Sequence, residues 1–226
     1  MPPRHPRCRC RLVPLVDDAV LEAPEQMLGV SEELPSHIKL APDIEGRQYD
    51  RVYRSFDKWA ANLSDARAEA IWRYQSFGYE NVNTYLRSGR VIGEAGGRTY
   101  LSEAKIKSLV GQLKAAVRAG KLLEDVVLYR GIYSSKPMAA GATIMDAGFW
   151  STSLSPQRAA KFAGGNGESS VLLKLVVPKG TDAAMFDAAG TLIGEGEIML
   201  QAGTQVRVLS VARQARMRVV TAEVIP

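Results

Sequence analysis

The chain has 226 residues, with 29 Lys and Arg against 24 Asp and Glu and a formal net charge of +5. That length allows one large or two small domains with a substantial core, and the mild basic excess suits a phosphate-bearing ligand or an acidic partner without by itself indicating nucleic acid. Cys8 and Cys10 form a lone Cys-x-Cys that supports neither a zinc site nor a disulfide framework, and no apolar run reaches bilayer-spanning length.

Residues 1–45 are broken by Pro2, Pro3, Pro6, Pro14, Pro24, Pro35 and Pro42 and carry Arg4, Arg7, Arg9 and Arg11 near the start. They read as a disordered leader or linker ahead of a single domain over 46–226. The basic start is not followed by an uninterrupted apolar stretch, so a conventional secretion signal is not expected. From Gln48, the recurrence of Tyr49, Val52, Tyr53, Phe56, Trp59 and Ala60 at helical spacing predicts an amphipathic helix. Ser64 is placed to cap a second helix with Ala68, Ile71 and Trp72 on its apolar face, interrupted at Phe77-Gly78-Tyr79. A third carries Val82, Tyr85 and Leu86 and stops at Ser88-Gly89, with a flexible loop over Gly93 to Gly97. Ser102 opens the clearest helix, striped by Ile106, Leu109, Val110, Leu113 and Val117 and ended by Gly120.

After Glu124 the periodicity becomes strand-like. Strands are predicted at Val126–Arg130, Phe149–Ser153, Val171–Val177, Ala183–Phe186, Glu195–Leu200, Gln205–Val211 and Arg216–Val224. One short helix intrudes at Ser155 to Ala163, with Ser155 as cap and Pro156 at the first helical position. Helices first and a mostly antiparallel sheet second is an α+β order.

Polar groups gather at the ends of these strands. Glu195 and Glu197, separated by Gly196, would project side by side from an extended strand, an arrangement that persists most readily where the pair meets a cationic or hydrogen-bonding ligand. Arg130 closes an apolar run, where a guanidinium is unexpected unless it reaches an anion. Ser151 and Ser153 flank Thr152 and share one face.

In order, Tyr129-Arg130-Gly131, Ser151-Thr152-Ser153 and Glu195-Gly196-Glu197 resemble the R-S-E class of mono-ADP-ribosyltransferases. The similarity runs from about Tyr49 to Val211. It includes Ala70-Ile71-Trp72-Arg73-Tyr74 and Asn83-Thr84-Tyr85-Leu86-Arg87, which look like the N-terminal helices of actin-modifying toxins and related effectors. The resemblance implies N-terminal helices packed on a split antiparallel β-sandwich that holds NAD in a cleft as co-substrate, with no metal. It further implies that Glu197 stabilises the oxocarbenium-like ribose left by nicotinamide through its 2′-hydroxyl, and that Ser151 orients Glu197 and the ribose. Arg130 would grip the diphosphate, and Gly131 would let the backbone approach the nicotinamide amide. Thr152, Ser153 and Phe162 complete the cofactor-binding set. Glu195 would direct transfer to an arginine of a target protein by holding the guanidinium and taking its proton. Phe186, in a mobile loop from Asp182 to Gly194, would contact that target.

One departure is visible: Gly164-Gly165-Asn166-Gly167-Glu168 lacks the basic residue that several relatives place late in this loop. The class that uses His and Tyr is disfavoured, because His5 and His37 both lie outside the sheet region. The implied protein is a toxin or effector, secreted or injected to act in a host cytoplasm, or a phage-encoded cytoplasmic enzyme. No membrane partner is expected, and a nucleic-acid acceptor is the lesser alternative to a protein. An NAD glycohydrolase and a catalytically silent interaction module on the same scaffold are the alternative activities.

Overall fold

A computed structural model describes residues 34–40, 47–92, 101–164, 169–189, 196–214 and 217–225. The leader or linker read over 1–45 lies outside the described residues except for 34–40, as do the loop at Gly93 to Gly97, most of the loop after Gly164, and residues 190–195. Residues 34–40 lie along one end of the body. Lys39 donates its backbone N–H to Asp125 at 2.7 Å, Leu40 forms a one-residue parallel bridge to Asp125, and His37 bonds Glu223.

The helix expected from Gln48 is two helices, α1 (Gln48–Ser55) and α2 (Asp57–Ala61). The break falls at Phe56, which leaves helical geometry and is buried edge-on against Trp59, ring centroids 5.8 Å apart. In α3 (Asp65–Arg73), Ser64 occupies the cap position but its side chain makes no cap bond. Ala70 and Ile71 are buried, whereas Trp72, expected on the apolar face, is 42% exposed and stacks edge-on against Phe77. The interruption expected at Phe77-Gly78-Tyr79 is instead a π-helical turn, Tyr74–Gly78, that runs directly into α4 (Tyr79–Ser88). Gly89 then ends α4 with φ at +67°, the left-handed geometry that glycine adopts without penalty.

The fifth helix, α5 (Glu103–Ala119), follows its sequence pattern closely. Ser102 accepts from the Lys105 N–H, and Ile106, Leu109, Val110, Leu113 and Val117 are all buried. At Gly120 a Cβ would stand 2.1 Å from the Ala183 carbonyl, so close backbone approach demands glycine where the helix stops.

The strands are β1 (Val126–Tyr133), β2 (Thr143–Met145), β3 (Trp150–Ser153), β4 (Ser170–Val177), β5 (Ala183–Met185), β6 (Glu197–Leu200), β7 (Gln205–Gln214) and β8 (Met217–Ile225). They form one sheet in the order β2-β7-β8-β4-β1-β3-β6-β5, antiparallel except for the parallel β4–β8 pair. β2 went unpredicted because it is a three-residue edge strand, too short and too exposed to show a period of two. Between β1 and β3 the described pairing is the single register Tyr129 with Ser153, so the sheet is nearly split into a five-stranded and a three-stranded part. The helical layer α1–α5 and the strands share the large core, while α6 (Pro156–Ala160), capped by Ser155, buries Ala159 in a small separate cluster with Tyr129 and Leu172.

Truncating the centre of the α5 stripe tests this packing. Leu113→Ala, at 1% exposure, is expected to cost about 3 kcal/mol in denaturant unfolding, whereas Arg118→Ala on the exposed side of the same helix leaves the midpoint unchanged.

Candidate active site

The seam between β1 and β3 is where the polar side chains converge. Antiparallel pairing sets Ser153 opposite Glu197 and Ser151 opposite Met199, so Ser151, Ser153 and Glu197 lie on one face. There the Ser151 hydroxyl donates to Oε1 of Glu197, and Nε2 of Gln75, from the π-helical turn, donates to Oε2 at 2.9 Å. Glu197 is only 4% exposed. A carboxylate removed from water to this degree needs such donors, because an unpaired buried charge is expensive.

Arg130 lies one residue along β1 from the seam pair. β1 runs on to Tyr133, so Arg130 does not close its strand as the sequence implied; its guanidinium crosses the seam instead. Nη1 donates to the Ser151 carbonyl at 2.9 Å, the guanidinium carbon lies 5.5 Å from the centre of the Trp150 ring, and Nη2 is 3.6 Å from Asp146. Burial lowers the pKa of Arg130 and the Asp146 charge opposes that shift. A guanidinium starts from so high a value that it stays cationic.

Asp146 joins two arginines. It accepts a forked pair of bonds from Arg87 at 2.7 Å each, takes the Gly148 N–H at 2.9 Å, and faces Arg130. Burial disfavours its charged form, but Arg87, the Gly148 N–H and Arg130 outweigh burial and hold its carboxyl below the usual carboxylate range. Asn83 ties the helical layer to the same place, accepting the Phe149 N–H at 2.9 Å and donating to the Tyr74 hydroxyl at 2.8 Å.

The remaining residues singled out in the sequence fare differently. Ser153 accepts the Ser155 N–H at 3.1 Å, at the start of α6. Thr152 needs correction as a cofactor-binding residue. Strand alternation turns it to the opposite face from Ser151, where its buried hydroxyl donates to the Ile198 carbonyl at 2.6 Å. Gly131 is pressed against α6, where a Cβ would lie 2.0 Å from the Ala159 carbonyl, so helix packing requires its missing side chain. Phe162 stands in the turn after α6 at 47% exposure.

Phe186 also needs correction. It is fully buried in a 3₁₀ turn (Phe186–Ala189) and packs edge-on against Tyr74 at 6.1 Å, so it belongs to the core and presents nothing to a target protein. Glu195 lies outside the described residues.

Beside the site, the fully buried Asp187 accepts the Gly196 N–H and the Tyr49 hydroxyl, each at 2.9 Å. Gly196 has φ at +60°, a glycine-favouring geometry that turns the chain into β6 immediately before Glu197. Burial, with Asp187 adding to it, pushes the Tyr49 phenol up to about 12.

Sequence reasoning missed Gln75, Arg87, Asp146, Asp187 and Tyr49 as site residues. Only Gln75 left a usable trace, an uncharged polar residue among Tyr74, Phe77 and Tyr79 in a helical stretch. Chemically, the seam offers a fixed, desolvated carboxylate able to stabilise a nearby positive charge, and guanidiniums able to hold an anion. Among the described residues no group of His, Cys, Asp and Glu is placed to hold a metal ion, and no helix is long and apolar enough to cross a membrane.

Comparison with known proteins converges on one family. Residues 53–225 match the ADP-ribosyltransferase exoenzyme family, and the chain belongs to it. It is 26% identical over 223 residues to the NAD(+)--arginine ADP-ribosyltransferase EFV of Enterococcus faecalis, a match covering 85% of this chain and 42% of that protein. The chain therefore spans less than half the length of that relative. Among solved structures, C3stau2 from S. aureus with NAD superimposes with a TM-score of 0.64 at 23% identity, covering 84% of this chain and 99% of the other. The Vis toxin of Vibrio splendidus, also solved with agmatine, gives a TM-score of 0.60 at 19% identity over 82% of this chain and 88% of its own. These likenesses establish the shared fold.

The Asp146 linkage gives a pH prediction. Because its folded pKa is depressed, its contribution to stability is complete above the unfolded carboxylate value of about 4 and is lost as pH falls below it. Asp146→Asn should lower stability at neutral pH by about 2 kcal/mol and flatten the acid side of a Tm-against-pH curve. An unchanged acid side would contradict the assignment.

Proposed function

We propose that the chain is an NAD-dependent mono-ADP-ribosyltransferase that modifies an arginine of a target protein, as a toxin or effector acting on a host. The observation that carries this is Glu197, held by the Ser151 hydroxyl at a seam crossed by Arg130. Family membership and the name of the Enterococcus faecalis relative support it.

In the reaction, the bond between the ribose anomeric carbon and the nicotinamide nitrogen breaks, and the electron pair leaves with nicotinamide. Positive charge grows on the ribose, and Glu197 opposes it at close range while accepting from the 2′-hydroxyl. Ser151 keeps Glu197 turned towards the sugar. Arg130 holds the diphosphate, whose oxygens match the fork of a guanidinium. An arginine nitrogen of the target then bonds to the anomeric carbon, and its proton passes to Glu195. Agmatine, bound by Vis, carries the same guanidinium group that this acceptor would present.

Incubation with labelled NAD and a host-cell lysate should produce labelled proteins whose label neutral hydroxylamine releases. Glu197→Ala should reduce labelling and nicotinamide release by on the order of 10²–10³-fold. Glu195→Gln should retain nicotinamide release and lose transfer to arginine. Rapid nicotinamide release with no labelled acceptor would instead make the chain an NAD glycohydrolase, and absence of NAD binding would make it a silent module.

A further inference from the structure

Glu197 has two carboxylate oxygens, and the reading above accounts for the partner of one. The other, Oε2, accepts from Nε2 of Gln75 at 2.9 Å. Gln75 is 1% exposed and comes from the helical layer, 122 residues away in the chain. A glutamine that deep in a protein loses water at both amide atoms and is retained where its bonds do work.

The backbone around it is built to hold that side chain in place. Gln75 is the second residue of the π-helical turn Tyr74–Gly78, and such wide turns rotate the following side chains away from the positions an α-helix would give them. The turn is clamped on both sides. Tyr74 packs edge-on against Phe149 at 5.9 Å, next to the start of β3, and against Phe186 at 6.1 Å, in the turn after β5. Asn83 holds the Tyr74 hydroxyl and the Phe149 N–H together. At Gly78 a Cβ would stand 2.9 Å from the Arg73 carbonyl and 3.2 Å from Leu109, so a side chain there would force the turn to move.

We infer that Gln75 is a positioning residue for the Glu197 carboxylate, acting across the interface between helices and sheet. Ser151 fixes one oxygen from β3 and Gln75 fixes the other from the π-helical turn, so the carboxylate can neither rotate about its last torsion nor withdraw into the core. Arg130 contributes favourable charge without bonding to either oxygen in the described geometry. The inference rests on the proposed role of Glu197 in cleaving the nicotinamide–ribose bond.

The test is steady-state nicotinamide release from NAD by the full chain and three variants, with Tm measured alongside. Gln75→Met keeps the length and helical preference of the side chain but has no donor. Gln75→Glu keeps its size and polarity but, because two buried carboxyls this close share a proton, it replaces the fixed amide donor and lowers the negative charge that Glu197 carries. Both are expected to lower kcat by on the order of 10²-fold, the scale of a small misplacement of a catalytic group. KM for NAD should change by no more than about threefold, since the lost interaction serves the transition state. Should the Met variant unfold, the Glu variant decides.

Wild-type kcat in either folded variant overturns the inference, and so does a proportionate rise in KM with kcat preserved. Glu197→Gln is the third variant and separates the two levels of the argument. If the wild type releases nicotinamide and Glu197→Gln does not, a neutral result at Gln75 removes only the positioning role. If the wild type releases none, or Glu197→Gln releases it normally, the proposed function fails and the role of Gln75 fails with it.

Discussion

Burying a carboxylate at the end of a strand is stable only when hydrogen bonds replace the water it has lost, and Glu197 obtains them from two layers of the molecule at once. The Ser151 hydroxyl reaches it within the sheet and the Gln75 amide reaches it from the helices. Neither layer alone would hold it. A short strand leaves a glutamate free to rotate, and a helix packed on one side can supply only one of the donors that the charged form requires. Among the described residues the β1–β3 seam pairs through Tyr129 and Ser153 alone, and the Ser151 carbonyl there accepts from the Arg130 guanidinium.

Charge is arranged around that carboxylate in a chain of alternating sign. Glu197 lies near Arg130, Arg130 faces Asp146, and Asp146 is bound by Arg87 in a forked pair. Each member lowers the cost of burying its neighbour, which is how two guanidiniums can stand near one seam without repelling it open. Asp146 also links α4 to the approach of β3, so the electrostatics that would receive a diphosphate and the packing that positions Ser151 depend on one side chain. Asp187 plays a comparable part at the other end of β6, where it fixes the turn at Gly196 through the backbone and through Tyr49.

Much of this was legible in the residues, and the limits have physical causes. α5 announced itself because a long helix with one buried stripe repeats its period several times, and β4 because its run from Val171 to Val177 is apolar but for Lys174. Ser151, Arg130 and Glu197 stood out as polar groups in apolar strand contexts and in a recognisable order. Phe186 and Thr152 were misread because burial and strand alternation depend on partners that local sequence does not show. Trp72 was misplaced for a related reason: its neighbour Ile71 takes the buried side of the helix, and Trp72 packs edge-on against Phe77 near the surface. Gln75 and Asp146 were missed because their role exists only across the interface between layers, at separations of 122 and 59 residues from Glu197 and Arg87 respectively.

The most direct measurement is a crystal structure of the Glu197→Gln protein with NAD bound, since that change preserves shape and, on the role proposed for Glu197, would slow cleavage. A site built at the β1–β3 seam predicts the nicotinamide ribose within hydrogen-bonding distance of position 197, with the diphosphate against Arg130. A dinucleotide bound elsewhere, for instance in the groove between Pro178–Thr181 and Gln201–Gln205 at the far end of the sheet, would contradict it.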